Sequence, residues 1–221
     1  HQFSRRVAAD TMVLLKNEDK ILPLSKKQSV ALIGAFAETP RYQGSGSSLI
    51  NPTKVGTALE SFSSLLGDKI TFAKGYNPKK DVVEQDLVQE AVSIAKEQDV
   101  VVLMIGLTDS FESEGFDRTH LNIPNNHLVL VEEIAKVNPN IVVCLSNGSP
   151  IIMPWKDNVK AILEQYLGGQ ASGEALVDVL YGKVNPNGKL AETFPNSIDE
   201  FPSNKNFPGL PRQVEYREGL Y

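Results

Sequence analysis

Short runs of consecutive apolar residues alternate along this chain with longer segments in which apolar residues recur every three or four positions. An unbroken apolar run is typical of a strand buried on both faces of a parallel sheet, and the longer spacing is typical of an amphipathic helix. The predicted strands are SVALIGA (29–35), KITFAKG (69–75), DVVVLMIG (99–106), NIVVCLSNG (140–148) and KAILEQYL (160–167). The predicted helices between them are VGTALESFSSLLG (55–67), DVVEQDLVQEAVSIAKEQ (81–98), NNHLVLVEEIAKV (125–137) and SGEALVDVLYG (172–182).

This alternation predicts an α/β fold with a doubly wound, mostly parallel sheet flanked by helices. The expected architecture is a three-layer α/β/α sandwich of flavodoxin-like type. The first segment, FSRRVAADTMVLLKNE (3–18), also has helical spacing, and it is predicted as one amphipathic helix with Pro23 marking the connection that follows.

The alternation decays from about Asn185 into NPNGKLAETFP and a tail rich in Pro, Asn and Phe. We therefore expect residues 28–200 to form the sandwich, residues 1–27 to be a helical linker that enters it, and residues 201–221 to be an irregular tail. Because the chain begins at His1 within a helical pattern, we also expect it to be a piece of a longer polypeptide.

Composition narrows the classes of partner. The 221 residues are 41% hydrophobic and 22% charged, which suits a folded domain with one core, and the formal net charge is −5. An acidic chain without clusters of Lys and Arg is not expected to bind nucleic acid, and its apolar runs fall short of the roughly 20 residues that span a membrane. Cys144 is the single cysteine, which excludes an internal disulfide, and its place in IVVCLS predicts a core residue.

Two unusual loops follow predicted strands. In an open α/β sheet, ligands bind beyond the carboxyl ends of the strands, so these loops should share one functional rim. The first, FAETPRYQGSGSS (36–48), is here called the serine-glycine loop, and the second, TDSFESEGFDRTH (108–120), is called the acidic loop. The serine-glycine loop lacks the glycine spacing of a dinucleotide or P-loop site, which disfavours a flavodoxin-like nucleotide binder.

The acidic loop carries four carboxylates within nine positions: Asp109, Glu112, Glu114 and Asp117. A solvated surface loop and a Ca²⁺ site are two readings, but the spacing is not that of an EF-hand, and Arg118 would oppose a cation, so no metal is expected. The third reading is general acid–base chemistry, in which burial or neighbouring negative charge raises the pKa of one carboxyl.

Glu114 best fits that third role, because Glu112 and Asp117 are close in sequence and Gly115 allows a tight turn beside it. Arg118 either pairs with Asp117 to pin the loop or orients a substrate hydroxyl. A serine hydrolase is disfavoured because G-x-S-x-G is absent and the chain has only three histidines. Of these, His127 is predicted at a surface or interface.

Four stretches resemble glycoside hydrolase family 3, the family of β-glucosidases and β-xylosidases. ESEGFDRTHLNIP is similar to the E-x-E-G-[FY]-D-R segment of that family. The others, in matching order, are VLLKNEDKILPL, GGQASGEALVDVLYGKVNPNGKLAETFP and VEYREGLY. The resemblance covers essentially the whole chain.

The resemblance implies an α/β domain that follows an N-terminal (β/α)₈ barrel, with the active site in the cleft between them. The barrel would supply the nucleophilic aspartate, and this domain would supply the acid/base glutamate, which falls on Glu114 with Glu112 as the competitor. An isolated fragment would then be inactive. The chain also stops where many members continue toward a further domain.

The expected substrate is a β-linked oligosaccharide or an aryl or alkyl β-glycoside, with β-glucosides favoured, and no cofactor is implied. By position, Tyr42, Gln43, Ser45 and Ser47 would touch the leaving-group sugar, and Glu112, Asp117 and Arg118 complete the expected substrate-binding set. The alternative is a non-catalytic carbohydrate-binding or interaction module. Family members occur in the cytoplasm, in the periplasm and outside the cell, so the compartment stays open.

Overall fold

A mixed sheet organises the structure, a computed structural model that describes residues 1–209 and 213–216. Within those residues the sheet has six strands in the spatial order β1-β6-β5-β4-β2-β3. The strands are β1 (Val13–Asn17), β2 (Val30–Ile33), β3 (Ile70–Ala73), β4 (Val100–Gly106), β5 (Ile141–Ser146) and β6 (Ala161–Glu164). β2 to β6 pair in parallel, whereas β1 pairs antiparallel with β6.

Helices cover both faces of the sheet. They are α1 (Gln2–Thr11), α2 (Ala58–Leu66), α3 (Gln85–Glu97), α4 (Asn125–Ala135) and α5 (Ser172–Leu180). α5 packs against α1 and α2 on one side, and α3 packs against α4 on the other. β4 and β5 lie at the centre and are buried along their whole length, as their unbroken apolar runs predict. The predicted three-layer, mostly parallel sandwich is therefore confirmed.

The prediction of one helix over residues 3–18 is wrong. α1 ends at Thr11, the backbone at Met12 is extended, and Val13–Asn17 forms the edge strand β1. Val13 and Leu14, within the apolar run 12–15, pair with Glu164 and Leu163 and satisfy backbone groups along the edge of β6. Part of the predicted linker 1–27 therefore belongs to the sheet. Its connection to a barrel stays a prediction.

The tail after the sandwich contains short 3₁₀ turns at Ile198–Glu200 and Pro202–Lys205. Residues 210–212 and 217–221 lie outside the described residues. They include part of the predicted tail 201–221 and most of the VEYREGLY stretch. No helix in the part of the chain that the structure describes is long and apolar enough to cross a membrane.

His127 is a core residue, which corrects its predicted place at a surface. Its Nδ1 lies 3.0 Å from the carbonyl oxygen of Gly106 at the end of β4, and its ring packs on Tyr76 with centroids 3.8 Å apart. Burial lowers its pKa to about 3. Position 127 shares a helix face with the buried residues 130, 131 and 134, a spacing that the sequence already contained. Cys144 is buried in β5, as predicted.

Candidate active site

The serine-glycine loop and the acidic loop meet at the carboxyl ends of β2 and β4. The backbone N–H of Ser47, in the first loop, donates a hydrogen bond of 2.6 Å to Oε2 of Glu114, in the second. The expectation that both loops share one rim is therefore confirmed. Their junction is where the exposed carboxyl group of Glu114 is held.

Arg41 clamps the two loops from beneath. Its guanidinium donates to the carbonyl oxygens of Leu107 and Glu112, the latter at 2.9 Å. Its side chain is only 5% exposed, and it lies 3.3 Å from the carboxylate of Glu112 and 3.5 Å from that of Asp109. Burial lowers the pKa of Arg41, and both carboxylates oppose that shift. Sequence analysis missed this role, although a lone cation in a loop facing four carboxylates was a usable signal.

Glu112 is anchored to the loop that follows β5. Its carboxylate accepts a 2.9 Å hydrogen bond from the backbone N–H of Gly148 and another from the hydroxyl of Ser149. Together with Arg41, these contacts occupy the carboxylate inside the chain. The structure thus gives Glu112 a holding role, and its assignment to substrate binding stays a prediction.

Arg118 turns toward the same loop and not toward Asp117. Its Nη1 donates to the hydroxyl of Ser149 at 2.9 Å and to the carbonyl oxygen of Pro150 at 3.0 Å. Burial lowers the pKa of Arg118, and the charge of Glu112 opposes that shift. Arg118 thus pins the loop through Ser149 and Pro150 in place of the predicted pair with Asp117, and its orienting of a substrate hydroxyl stays a prediction. Asp117 is exposed.

Glu114 contradicts the expectation of a raised pKa within this chain. Its carboxyl is exposed, and hydrogen bonds from Ser47 to the charged form hold its pKa below the ordinary value. The predicted negative neighbours do not reverse this, because Glu112 is tied to Arg41 and Asp117 faces solvent.

Two glycines shape the backbone around Glu114. Gly115 has φ +97°, so the predicted tight turn is confirmed. Gly46 has φ +96°, and a Cβ there would lie 2.5 Å from Oε2 of Glu114. Only glycine lets the serine-glycine loop approach the carboxylate so closely.

The other predicted contact residues of the serine-glycine loop lie beside this junction. Gln43 closes the loop, because its amide donates to the carbonyl oxygen of Ile50 at 3.0 Å and accepts from the Ile50 N–H at 2.9 Å. Tyr42, Gln43 and Ser45 line a cavity of about 250 Å³ together with residues of the acidic loop.

Exposed apolar side chains surround the same rim, and sequence analysis did not single them out. Leu49 and Ile50 are 62% and 69% exposed, and Phe116, two residues after Glu114, is 48% exposed. Apolar side chains at a rim of polar loops are typical of a surface that contacts another molecule or domain.

Glu164 is a buried carboxyl group that sequence analysis also missed. It ends β6, where its Oε2 accepts from Nδ2 of Asn147 at 2.8 Å and its Oε1 accepts from the N–H of Tyr166 at 2.7 Å. Burial raises its pKa from 4.5 to about 8, and the hydrogen bonds from Tyr166 and Asn147 partly oppose that shift. A single charge-bearing residue within the apolar run AILEQYL was the available signal.

The raised pKa of Glu164 predicts a pH-dependent stability. Between pH 4.5 and about 8 the unfolded chain loses this proton while the folded chain keeps it. The free energy of unfolding should therefore fall as the pH rises across this range, by at most about 5 kcal/mol. Below pH 4.5 the stabilising contribution of Glu164 is fully present. Glu164→Gln cannot titrate and should flatten the slope. Reactivity of the buried Cys144 thiol in denaturant, followed by peptide mass spectrometry, measures domain unfolding. Equal slopes in both proteins would contradict the prediction.

We identify no candidate metal-binding site in the described ranges 1–209 and 213–216. There, no group of three or more His, Cys, Asp or Glu side chains is placed to hold an ion. The chemistry available at the rim is that of exposed carboxyls, among them Glu114, backbone N–H groups and hydroxyls.

Comparison with known proteins shows which family this domain resembles. Residues 12–221 match the sequence model of the glycosyl hydrolase family 3 C-terminal domain. The chain is 54% identical to thermostable beta-glucosidase B of Acetivibrio thermocellus over 223 residues, covering 100% of this chain and 30% of that protein. It is 44% identical to an exo-alpha-(1->6)-L-arabinopyranosidase of Bifidobacterium longum, again covering 100% of this chain and 30% of the relative.

Among solved structures, a GH3 beta-glucosidase of Bifidobacterium adolescentis superposes with a TM-score of 0.90 at 47% identity. The match covers 95% of this chain and 31% of that one. The chain thus spans about a third of the length of the proteins it resembles.

Proposed function

The chain belongs to glycoside hydrolase family 3, and from this membership we propose that it supplies the general acid/base of a retaining β-glycosidase. The full-length enzyme would hydrolyse terminal non-reducing β-D-glucosyl residues of oligosaccharides or of aryl and alkyl β-glucosides. Its nucleophile would be an aspartate of an N-terminal barrel in the same polypeptide.

One observation carries the proposal: the carboxyl of Glu114 is presented to solvent at the rim, while Glu112 is held by contacts within the chain. A retaining glycosidase needs two carboxyls about 5 to 5.5 Å apart. Glu114 is free to be one of them, and the second would come from outside this chain.

The mechanism asks two things of Glu114. As the barrel's aspartate attacks the anomeric carbon, Glu114 donates its proton to the glycosidic oxygen that departs. It then accepts a proton from the water that attacks the glycosyl-enzyme ester, releasing the sugar and regenerating the acid. The Ser47 N–H favours the ionised form that acts as base in this second step.

The first step needs a protonated Glu114, and docking of the barrel would provide it. Covering the rim removes water from the carboxyl, and the nearby aspartate adds negative charge, and both effects raise its pKa. The lowered pKa of Glu114 therefore belongs to this domain alone, in which the carboxyl is still exposed to water. Leu49, Ile50 and Phe116 fit a surface that becomes covered.

The serine-glycine loop would contact the leaving group. Tyr42, Gln43 and Ser45 line the cavity next to the acidic loop, and the Ser47 N–H contacts Glu114, so a departing sugar there would meet hydroxyl, amide and backbone groups. Glu112 and Arg118 hold the acidic loop, and their contact with the substrate, like that of Asp117, stays part of the proposal.

The terminal sugar is a separate question, because one relative is named a beta-glucosidase and another an arabinopyranosidase. We expect the full-length enzyme to favour 4-nitrophenyl β-D-glucoside in a panel that also holds the β-D-xyloside and the α-L-arabinopyranoside. Preference for either of the other two would replace glucose and leave the role of Glu114 intact.

The division of labour between two domains predicts a sharp loss of function on separation. The full-length enzyme should hydrolyse an aryl β-glucoside, and residues 1–221 expressed alone should show no turnover above the buffer blank. Circular dichroism of the isolated chain checks that it is folded. Turnover by the folded chain alone would contradict the proposal, as would a full-length enzyme inactive on the whole panel.

The alternative of a non-catalytic carbohydrate-binding module also predicts no turnover, but it predicts binding of sugar by the isolated chain. Such a module binds β-linked oligosaccharides by itself, so calorimetry with cellobiose would detect binding to residues 1–221. A gene that encodes no barrel before His1 would also favour it.

A further inference from the structure

We propose that Glu164 is a positioning residue for the acidic loop, acting through Asn147 and the turn that follows β5. This turn, residues 147–150, is called the Asn147 turn. The inference rests on the proposed function of Glu114, and it assigns Glu164 no contact with substrate.

Glu164 stands where β6 ends, with its side chain sealed from solvent. Its two oxygens accept from two different segments: Asn147 on one side, and the backbone of Tyr166 on the other. Tyr166 has φ +56°, a left-handed conformation that is rare for a residue with a side chain. The hydrogen bond to Glu164 therefore holds both the exit from β6 and the neighbouring turn.

Asn147 passes this constraint on to the Asn147 turn. The residue is fully buried, and its Nδ2 donates both to Glu164 and, at 3.0 Å, to the carbonyl oxygen of Ser149. The side-chain amide of Asn147 thus connects the turn to Glu164 at the end of β6. Gly148 and Ser149 are then fixed where their N–H and hydroxyl can reach outward.

The outward groups of the turn hold the acidic loop. The Gly148 N–H and the Ser149 hydroxyl bind the carboxylate of Glu112, and Arg118 donates to Ser149 as well. Glu112 lies two residues before Glu114. A continuous series of hydrogen bonds therefore runs from a buried carboxyl at the sheet to the loop that carries the proposed acid/base.

A buried carboxyl is an expensive way to fill space, because removing it from water costs free energy that an apolar side chain would not cost. The side-chain amide of Asn147 and the backbone N–H of Tyr166 point inward and need acceptors, and leaving them unpaired would also cost free energy. Glu164 supplies both acceptors at once. The titratable groups that interact with it are Glu112, Tyr166 and Cys144, none of which is a cation that would stabilise its charge.

The test compares two aryl β-glucosides in the full-length enzyme, a phenyl glucoside that needs protonation of its leaving group and a 2,4-dinitrophenyl glucoside that does not. We expect Glu164→Ala and Ser149→Ala to lower kcat/KM for the phenyl glucoside by about 10-fold to 100-fold, since a small misplacement of a catalytic group has effects of this order. The dinitrophenyl glucoside should lose far less, and the alkaline limb of the pH–rate profile, where Glu114 would lose its proton, should shift. Glu164→Gln, which keeps one acceptor, should fall between wild type and Glu164→Ala.

Asn138→Ala is the matched control. Asn138 is also a buried amide, which donates to the carbonyls of Ala95 and Gln98 at the opposite end of β5. Its replacement should lower stability and leave the ratio between the two substrates unchanged.

The inference is overturned if the Glu164 and Ser149 variants lose both substrates in equal proportion, as a purely structural defect would cause. Should Glu164→Ala fail to fold, Glu164→Gln, which keeps one acceptor, and Ser149→Ala, at a partly exposed position, together carry the test. Failure of the proposed function looks different, because there Glu114→Ala itself would show no dependence on the leaving group.

Discussion

Replacing Glu114 by alanine in the full-length enzyme should lower kcat/KM for phenyl β-glucoside by about 10²-fold to 10⁴-fold, the usual worth of a general acid. The phenolate of this substrate is a poor leaving group, so it needs the proton that Glu114 would donate. For 2,4-dinitrophenyl β-glucoside, whose anion leaves without a proton, the first step should lose far less. Initial rates on both substrates, over a range of pH, measure the difference.

Two other carboxylate variants serve as controls for the Glu114→Ala result. Glu38→Ala removes an exposed carboxylate of the serine-glycine loop that pairs with Lys74, and it should leave the ratio between the substrates unchanged. Glu112→Ala tests the competitor. If Glu112→Ala reproduced the leaving-group dependence and Glu114→Ala did not, the roles assigned to the two residues would have to be exchanged.

Arg41→Met should cause the largest loss of stability at the rim. Methionine keeps much of the aliphatic volume but removes a buried cation that binds Glu112 and the carbonyl oxygen of Leu107. Removing one partner of a buried ion pair costs about 3 kcal/mol or more, because the remaining charge loses its counter-ion. Amides of the acidic loop should then exchange roughly 100-fold faster in the full-length enzyme, as hydrogen-exchange mass spectrometry would measure.

The control for Arg41→Met is the same substitution at an exposed pair. Lys74 contacts Glu38 at 2.9 Å, and both side chains are about half exposed. Lys74→Met should change stability by less than about 1 kcal/mol, as is usual for surface ion pairs. Equal exchange rates in the two variants would show that the contacts of Arg41 contribute little to the stability of the two loops.

The sequence predicts most of the fold because β4 and β5 are unbroken apolar runs, and such runs are strands only where helices cover both faces. It fails at residues 12–17, since an edge strand is defined by its partner β6, nearly 150 residues away, and helical spacing continues locally through the boundary. Residue type alone places His127 at the surface, whereas its spacing with other buried residues in α4 indicates the core.

The candidate site is predictable in part for a similar reason. Glu114 and the meeting of the two loops follow from motif and topology, whereas Arg41 and Glu164 act through contacts with distant segments that no local pattern encodes. The pKa of Glu114 could not be predicted from neighbours in sequence, because Glu112 turns to Arg41 and Ser47 supplies an N–H from another loop.

The most direct test of the central claim, that Glu114 is the acid/base of a retaining enzyme, is product analysis of Glu114→Ala with azide. With 2,4-dinitrophenyl β-glucoside, the variant should form the glycosyl-enzyme and then release it slowly, because no base activates water. Azide needs no base, so it should accelerate turnover and yield β-glucosyl azide, which NMR identifies. Unchanged turnover without any glucosyl azide, or the α-anomer as product, would contradict the account.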